Sequence, residues 1–422
     1  MNRQAVALAA DSAVTVRSQV GGKAWQSANK IFGLSRHHSI GVMVYGQAEL
    51  LGLPWETVIK SYRDQLAEPP FGTVREYADD LISFIASNSA LFPESVQVVF
   101  TQNRVGSLFL LMREEMVQAV DDATRELERD VTQAETMEIV SRVIDHHHVA
   151  LGNQPYYEGL TAAFERTLRS KYKAAIDQAK RDIFQELPLT SGQSRKLTSI
   201  GVRALTHVIQ TVLMSGIVVA GFGADEVFPN LESLLIEGMT NGKLMLWREE
   251  ASVADRESPS NVRAFAQSDM AVSFMEGIEP KYRETLDQLA GKIFRYYPVA
   301  IIDNIDSLTE EERKKLKEGF EKVADATLES FQVTLQSYRA STFTEPIVQV
   351  VSMLPKDELA SMAEALVNLT SFRQKISMQL ESVGGPIDVA LISKGDGFVW
   401  VKRKNYFDLA QNPHFMARYL AS

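Results

Sequence analysis

The chain has 422 residues, 45 % of them apolar and 23 % charged, with a formal net charge of −10. That length suits one large domain or two to three ordinary ones, the apolar share is that of a globular protein, and the negative balance argues against a nucleic-acid surface. Cysteine is absent, which excludes disulfides, thiolate metal sites and cysteine nucleophiles and accords with the reducing cytoplasm where we expect the protein.

Ala5–Ala10 is an unbroken apolar run between polar residues, the pattern of a strand buried on both faces. Gly21-Gly22 marks a turn. Lys30–Leu34 and Ile40–Tyr45 read as a hairpin through Ser35–Ser39. From Ala48 the period becomes helical, with Leu51, Trp55, Val58, Ile59, Tyr62 and Leu66 on one face, until Pro69-Pro70 and Gly72 end it. Thr73-Val74-Arg75-Glu76 is a capping box ahead of a second apolar face, Tyr77, Leu81, Ile82 and Ile85.

Residues 95–210 carry long charged helical patterns, Glu114–Val143 and Leu160–Leu187 among them, and read as a helical insertion. Strand character returns at Gly216–Phe222, Leu231–Glu237 and Lys243–Arg248, the last two joined by Asn241-Gly242, a two-residue hairpin turn. Ser252–Ser260 reads as a loop. Ser307-Leu308-Thr309-Glu310 caps a helix carrying Leu316, Phe320, Val323 and Phe331. Pro355 opens another, with Leu359, Met362, Ala363, Leu366 and Leu369 inward. The last strands are Ile387–Ser393 and Phe398–Val401, joined by Lys394-Gly395-Asp396-Gly397. No signal-peptide pattern opens the sequence, and the longest apolar run, Val208–Phe222, is broken by Gln210, Thr211, Ser215 and Gly216, so no membrane span is expected.

The order of strands, helices, strands, helices, strands predicts an α+β fold, most economically a four-layer αββα sandwich with large helical insertions. The expected division is 1–94 as the first part of the core, 95–210 as a helical insertion, and 211–275 as core strands and a loop. It continues with 276–350 as a helical extension, 351–407 as a core helix and the final strands, and 408–422 as a tail.

Four segments bear on function: Ala9-Ala10-Asp11-Ser12, Asn29-Lys30-Ile31, Gly41–Glu49 ending its strand at Gly46, and Ser382-Val383-Gly384-Gly385-Pro386. In this order they resemble the proteasome β-type and HslV-like peptidases of the N-terminal-nucleophile (Ntn) hydrolase family. Val218–Phe222 and Ala266-Gln267-Ser268-Asp269 are weaker matches. The resemblance implies a hydroxyl nucleophile whose own α-amine takes its proton. It implies that Lys30 eases loss of that proton and stabilises the developing oxyanion, and that Asp11 holds Lys30 charged and oriented. The backbone amide near Gly46 would serve the oxyanion, with Ser268 in the supporting network. It also implies a peptide or protein substrate and a homo-oligomeric ring.

The sequence departs from that pattern in three places. The family's nucleophile would stand roughly five to six residues, one strand, before Met1. The family's acid before Ser-Gly-Gly falls near Leu380, where only Glu381 could replace it. Tyr45 stands where many members have a glycine, which would narrow the cleft. Gly72-Thr73 has the dipeptide of a self-processing site, but Thr73 is expected to cap a helix. The expected activity is therefore that of a threonine-type peptidase or amidase if a nucleophile precedes Met1. The alternatives are a catalytically inactive scaffold of the same fold and a helical adaptor. Asp145-His146-His147-His148 points its side chains in different directions and is not read as a metal site; Gly221-Phe222-Gly223 is a turn rather than a dinucleotide loop. No cofactor, metal, nucleic acid or membrane partner is expected.

Overall fold

The computed structural model describes residues 1–422 apart from 19–20, 35–36, 67–68, 186, 210–213, 267, 377–383, 406, 409, 415–416 and 418–422. In chain order its strands are β1 Ala5–Ala10, β2 Val14–Ser18, β3 Gly21–Trp25, β4 Ile31–Gly33, β5 Ile40–Gly46, β6 Glu49–Leu50, β7 Leu53–Pro54, β8 Ser215–Gly221, β9 Asn230–Thr240, β10 Lys243–Arg248, β11 Ser252–Val253, β12 Asp388–Ser393 and β13 Gly397–Lys402. The helices are α1 Trp55–Arg63, α2 Val74–Ser87, α3 Glu94–Leu127, α4 Gln133–Gly152, α5 Ala162–Lys171, α6 Lys173–Phe184, α7 Ser191–Arg203, α8 Asp269–Glu276, α9 Pro280–Asp303, α10 Glu310–Arg339, α11 Glu345–Met353 and α12 Lys356–Ile376. The protein is mixed α+β, 55 % helix and 16 % strand, with antiparallel sheets. Among the described residues no helix is long and apolar enough to cross a membrane.

The chain divides into two compact units. The first comprises Met1–Ile31, Glu226–Asn230 and Ser252–Ser422, the second Phe32–Asp225 and Leu231–Ala251. In the first, the sheet order is β1-β12-β13, and β1 pairs with β12 from Ala5↔Ser393 to Ala10↔Asp388. Alternation sends Ala5, Ala7 and Ala9 to one face, where Val351, Leu359 and Ala360 of α11 and α12 cover them. Small side chains on that face let the helices come close.

In the second unit the strand order β10-β9-β8-β5-β4 forms a sheet whose apolar face (Val42, Val44, Ile217, Val219, Leu234, Ile236) packs on Trp55, Ile59, Tyr77 and Leu81 of α1 and α2. Helices α3 to α7 enclose a separate core that includes Phe109, Met112, Ile144, Leu168, Ile176 and Ile200. The Asn241-Gly242 turn is present with φ of +47° and +74°, as a two-residue hairpin turn requires.

The four-layer αββα sandwich does not emerge in obvious form: the strands gather into one six-stranded sheet, one of three strands and two separate two-stranded hairpins. Several local expectations move. Gly21 and Gly22 pair with Ser18 and Arg17, so they open the second strand of a hairpin instead of forming its turn. The helix foreseen from Ala48 starts at Trp55, after the tight β6–β7 hairpin and behind Pro54 at its N-cap. Glu114–Val143 is interrupted where Glu128 adopts a left-handed conformation and Thr132 starts a new capping box. The α10 box is Thr309–Glu312, not Ser307–Glu310. Leu369, expected inward, is exposed, as are Phe320 and Val323 on α10.

Candidate functional site

Strand β1 ends where its apolar run ends, and the next residue is Asp11, 8 % exposed. Its Oδ1 accepts from Lys30 Nζ at 2.6 Å, and its Oδ2 accepts from the amides of Ala13 at 3.0 Å and Gly384 at 2.9 Å. All three partners are donors, which matches an acceptor-only carboxylate. The Lys30 side chain is 18 % exposed, and its ammonium group is held by Asp11.

A second ring of hydrogen bonds keeps that carboxylate in place. Ser12 is fully buried, its Oγ donates to Pro386 O at 2.5 Å, and its amide donates to Gly384 O at 3.1 Å. Ala28 N donates to Ser12 O at 3.1 Å, tying in the segment that leads to Lys30. Gly385 has φ of +79°, and a Cβ there would lie 2.9 Å from Gln26 Cβ, so both conformation and space require glycine. The Gly384-Gly385-Pro386 segment thus closes over the Asp11-Ser12 corner, and Ser12 is a contributor that the sequence reading passed over. Its only signal was its place next to Asp11.

At the other end of β1 lies a second residue that had drawn no attention, Asn2. Fully buried, it donates from Nδ2 to Val351 O and Leu354 O at 3.0 Å each, and its Oδ1 accepts from Gln4 N and Ala5 N. Its backbone amide donates to Ala5 O at 3.0 Å, and Asn2 pairs antiparallel with Ala5. Residues 2–5 are therefore a tight turn, and Met1-Asn2 already runs antiparallel to β1. On its far side Met1-Asn2 is bracketed by Ser260 and Asn261: Asn2 bridges Ser260, and Met1 exchanges backbone bonds with Asn261 at 2.6 and 2.8 Å. Among the described strands β1 has a full partner on one side only, β12.

Of the remaining candidates, Gly46 belongs to the second unit. It ends β5 with φ of +77°, and a Cβ would fall 2.3 Å from Met214 O, so its own neighbour strand accounts for the glycine. Tyr45 lies across Gly216, where a Cβ would meet the ring at 1.9 Å; the glycine on β8 is the space that the aromatic ring fills. Ser268 stands at the N-cap of α8, where its carbonyl accepts from Val272 N at 2.8 Å and its side chain makes no cap hydrogen bond. Among the described residues no contact links it to Asp11 or Lys30. Glu381, with Ser382 and Val383, lies outside the described residues.

Thr73 caps α2 through a full capping box with Glu76. The histidine run is divided among separate partners on α4: Asp145 pairs with Lys196, His147 with Glu115 at 2.6 Å, and His148 with Arg203. Among the described residues no group of three or more acidic or histidine side chains is placed to hold a metal ion. Comparison with family models, with curated proteins and with solved structures finds no match.

Proposed function

We propose that this chain is an Ntn-type hydrolase of the proteasome β-subunit kind, acting on peptide or other amide bonds. The observation that supports it is the Asp11–Lys30 pair, fixed by the Gly384 amide, at the end of a strand whose other end is entered through a hairpin turn. The turn sets a register. Each step back along an incoming strand meets one step forward along β1, so the fifth residue ahead of Met1 would fall opposite Asp11. A threonine, serine or cysteine there with a free α-amine would bring its hydroxyl or thiol to the Lys30 ammonium.

In that arrangement the α-amine removes the nucleophile's proton, and Lys30 offers positive charge to the developing negative oxygen. Asp11 fixes the direction in which Nζ points. The peptidase's four-layer architecture and ring assembly belong to this same proposal. The test is covalent labelling by a β-lactone of the protein expressed with its upstream in-frame residues and a processed N-terminus. The expected adduct sits on the first residue of the mature chain and disappears in Lys30→Ala. If upstream codons supply no Thr, Ser or Cys near that register position, or if no adduct forms, the inactive-scaffold reading replaces this one.

A further inference from the structure

We infer that α9 is an oligomerisation helix, which pairs with α9 of a second copy of this chain as an antiparallel coiled coil. This inference is independent of the hydrolase reading. Helix α9 packs on α10 through one face: Ala290 is buried, Phe294 meets Phe331 at 5.8 Å between ring centroids, and Gly291 faces Leu328. The opposite face carries Tyr282, Leu286, Leu289, Ile293, Tyr296 and Ala300. Their spacing alternates four and three residues throughout, the heptad seam of a coiled coil, and it lies about half a turn of helix away from the α10 contact.

A seam of this kind ordinarily seats knobs in a partner helix. Here Tyr282 is 63 %, Leu289 53 %, Ile293 43 % and Tyr296 69 % exposed, while Leu286 and Ala300 are half-buried. With Tyr297 and Val299 beside them, these side chains leave on the order of 400 Å² of apolar surface, within the range for the largest patch on a monomer and about half of the ~800 Å² each partner gives to a standard interface.

The seam's composition favours a second copy as the occupant. A two-fold interface needs residue i to meet j and j to meet i. In the antiparallel register that sets Leu289 against Ile293 of the second copy, Leu286 meets Tyr296 and Tyr282 meets Ala300. The six seam positions then satisfy one another, with the largest ring opposite the smallest side chain. The flanking cations are not opposed in that register: Lys292 comes beside Ala290 and Arg283 beside Val299 of the second copy. Pro298 lies on the face toward α10, away from the seam.

The absence of cysteine makes the test direct. Full-length Leu289→Cys and Ile293→Cys variants are mixed and oxidised, with each variant alone as the control. The expected product is a covalent dimer between the two variants, in clear excess over either homodimer. Light scattering on the unmodified chain at tens of micromolar is expected to give a dimer or a multiple of it. Ile293→Asp should weaken self-association by on the order of 100-fold or more, since the substitution enters a two-fold interface twice, with helicity and melting temperature unchanged. A chain that is monomeric across that concentration range overturns the inference, as does preferential Leu289–Leu289 crosslinking or an oligomer indifferent to Ile293→Asp.

Discussion

Two ion pairs, one in each unit, are nearly equal in length and differ in what surrounds them. Arg104 and Glu237 meet at 2.7 Å with side chains 8 % and 1 % exposed, and Tyr157 donates to the same carboxylate. Lys30 and Asp11 meet at 2.6 Å with 18 % and 10 % exposed. The Arg104 cluster is more deeply buried: burial and the neighbouring Glu237 charge push the Tyr157 phenol upward, and the ion pair joins α3 to β9. The Lys30 pair has its carboxylate locked by backbone amides and a lysine side chain more exposed than Arg104. Sealing a charge serves the fold, whereas the proposed hydrolase chemistry would use a carboxylate fixed beside a less buried lysine.

That contrast can be broken from either side. The largest effect is expected from Glu237→Ala, which strands a buried guanidinium and should cost about 3–5 kcal/mol in denaturant unfolding. Adding Arg104→Met should recover most of the loss; a double variant as unstable as the single one would assign the cost to something other than the orphaned charge. Gly385→Ala should follow at about 1–3 kcal/mol, because φ of +79° and the Gln26 contact both resist a Cβ. Lys30→Ala should cost only about 1 kcal/mol, since Asp11 keeps its two amide donors. The same substitution should abolish β-lactone labelling, a separation of stability from chemistry that the sealed pair cannot show.

The smallest effect concerns pH. Burial raises the Tyr77 phenol to about 12 from its ordinary 10, and its oxygen is 2.7 Å from His38 Nδ1. Between those values the unfolded chain has released a proton that the folded chain retains, so the Tyr77 contribution to folding stability should be constant below pH 10 and fall as pH rises toward 12. Tyr62 and Tyr157, also raised by burial, should add to the fall. Phenolate absorbance and denaturation midpoints followed together should show Tyr77→Phe flattening part of that decline.

Much of this was legible in residue order. The apolar runs of β1, β9, β10 and β12 announced buried strands, Asn241-Gly242 announced its turn, and the Thr73 box its helix. The meeting of Asp11 and Lys30 was expected from family likeness, and the pair now has a distance. Positions set by tertiary packing were not legible. Ser307–Glu310 and Thr309–Glu312 are overlapping boxes of one pattern, and only the turn at Ile305–Leu308 selects the second. The helix carrying Phe320 and Val323 was legible, but their exposure was not, since a helical period does not say which neighbour a side chain meets. Asn2 gave no pattern at all, because its four hydrogen bonds go to backbone at residues 4, 5, 351 and 354.

The β1–β12 ladder also carries a consequence for how the chain is made. Ala5 is hydrogen-bonded across to the strand that holds Ser393, nearly the whole length of the polypeptide away. At a synthesis rate of about 5–20 residues per second, β1 leaves the ribosome roughly 20–80 s before its partner exists. Throughout that interval an apolar hexapeptide has no ladder to join, while Phe32–Asp225, most of the other unit, is completed a little past its midpoint. The Asp11–Lys30 corner therefore cannot be closed by Gly384 and Pro386 until those residues have been made, long after Asp11 and Lys30 themselves.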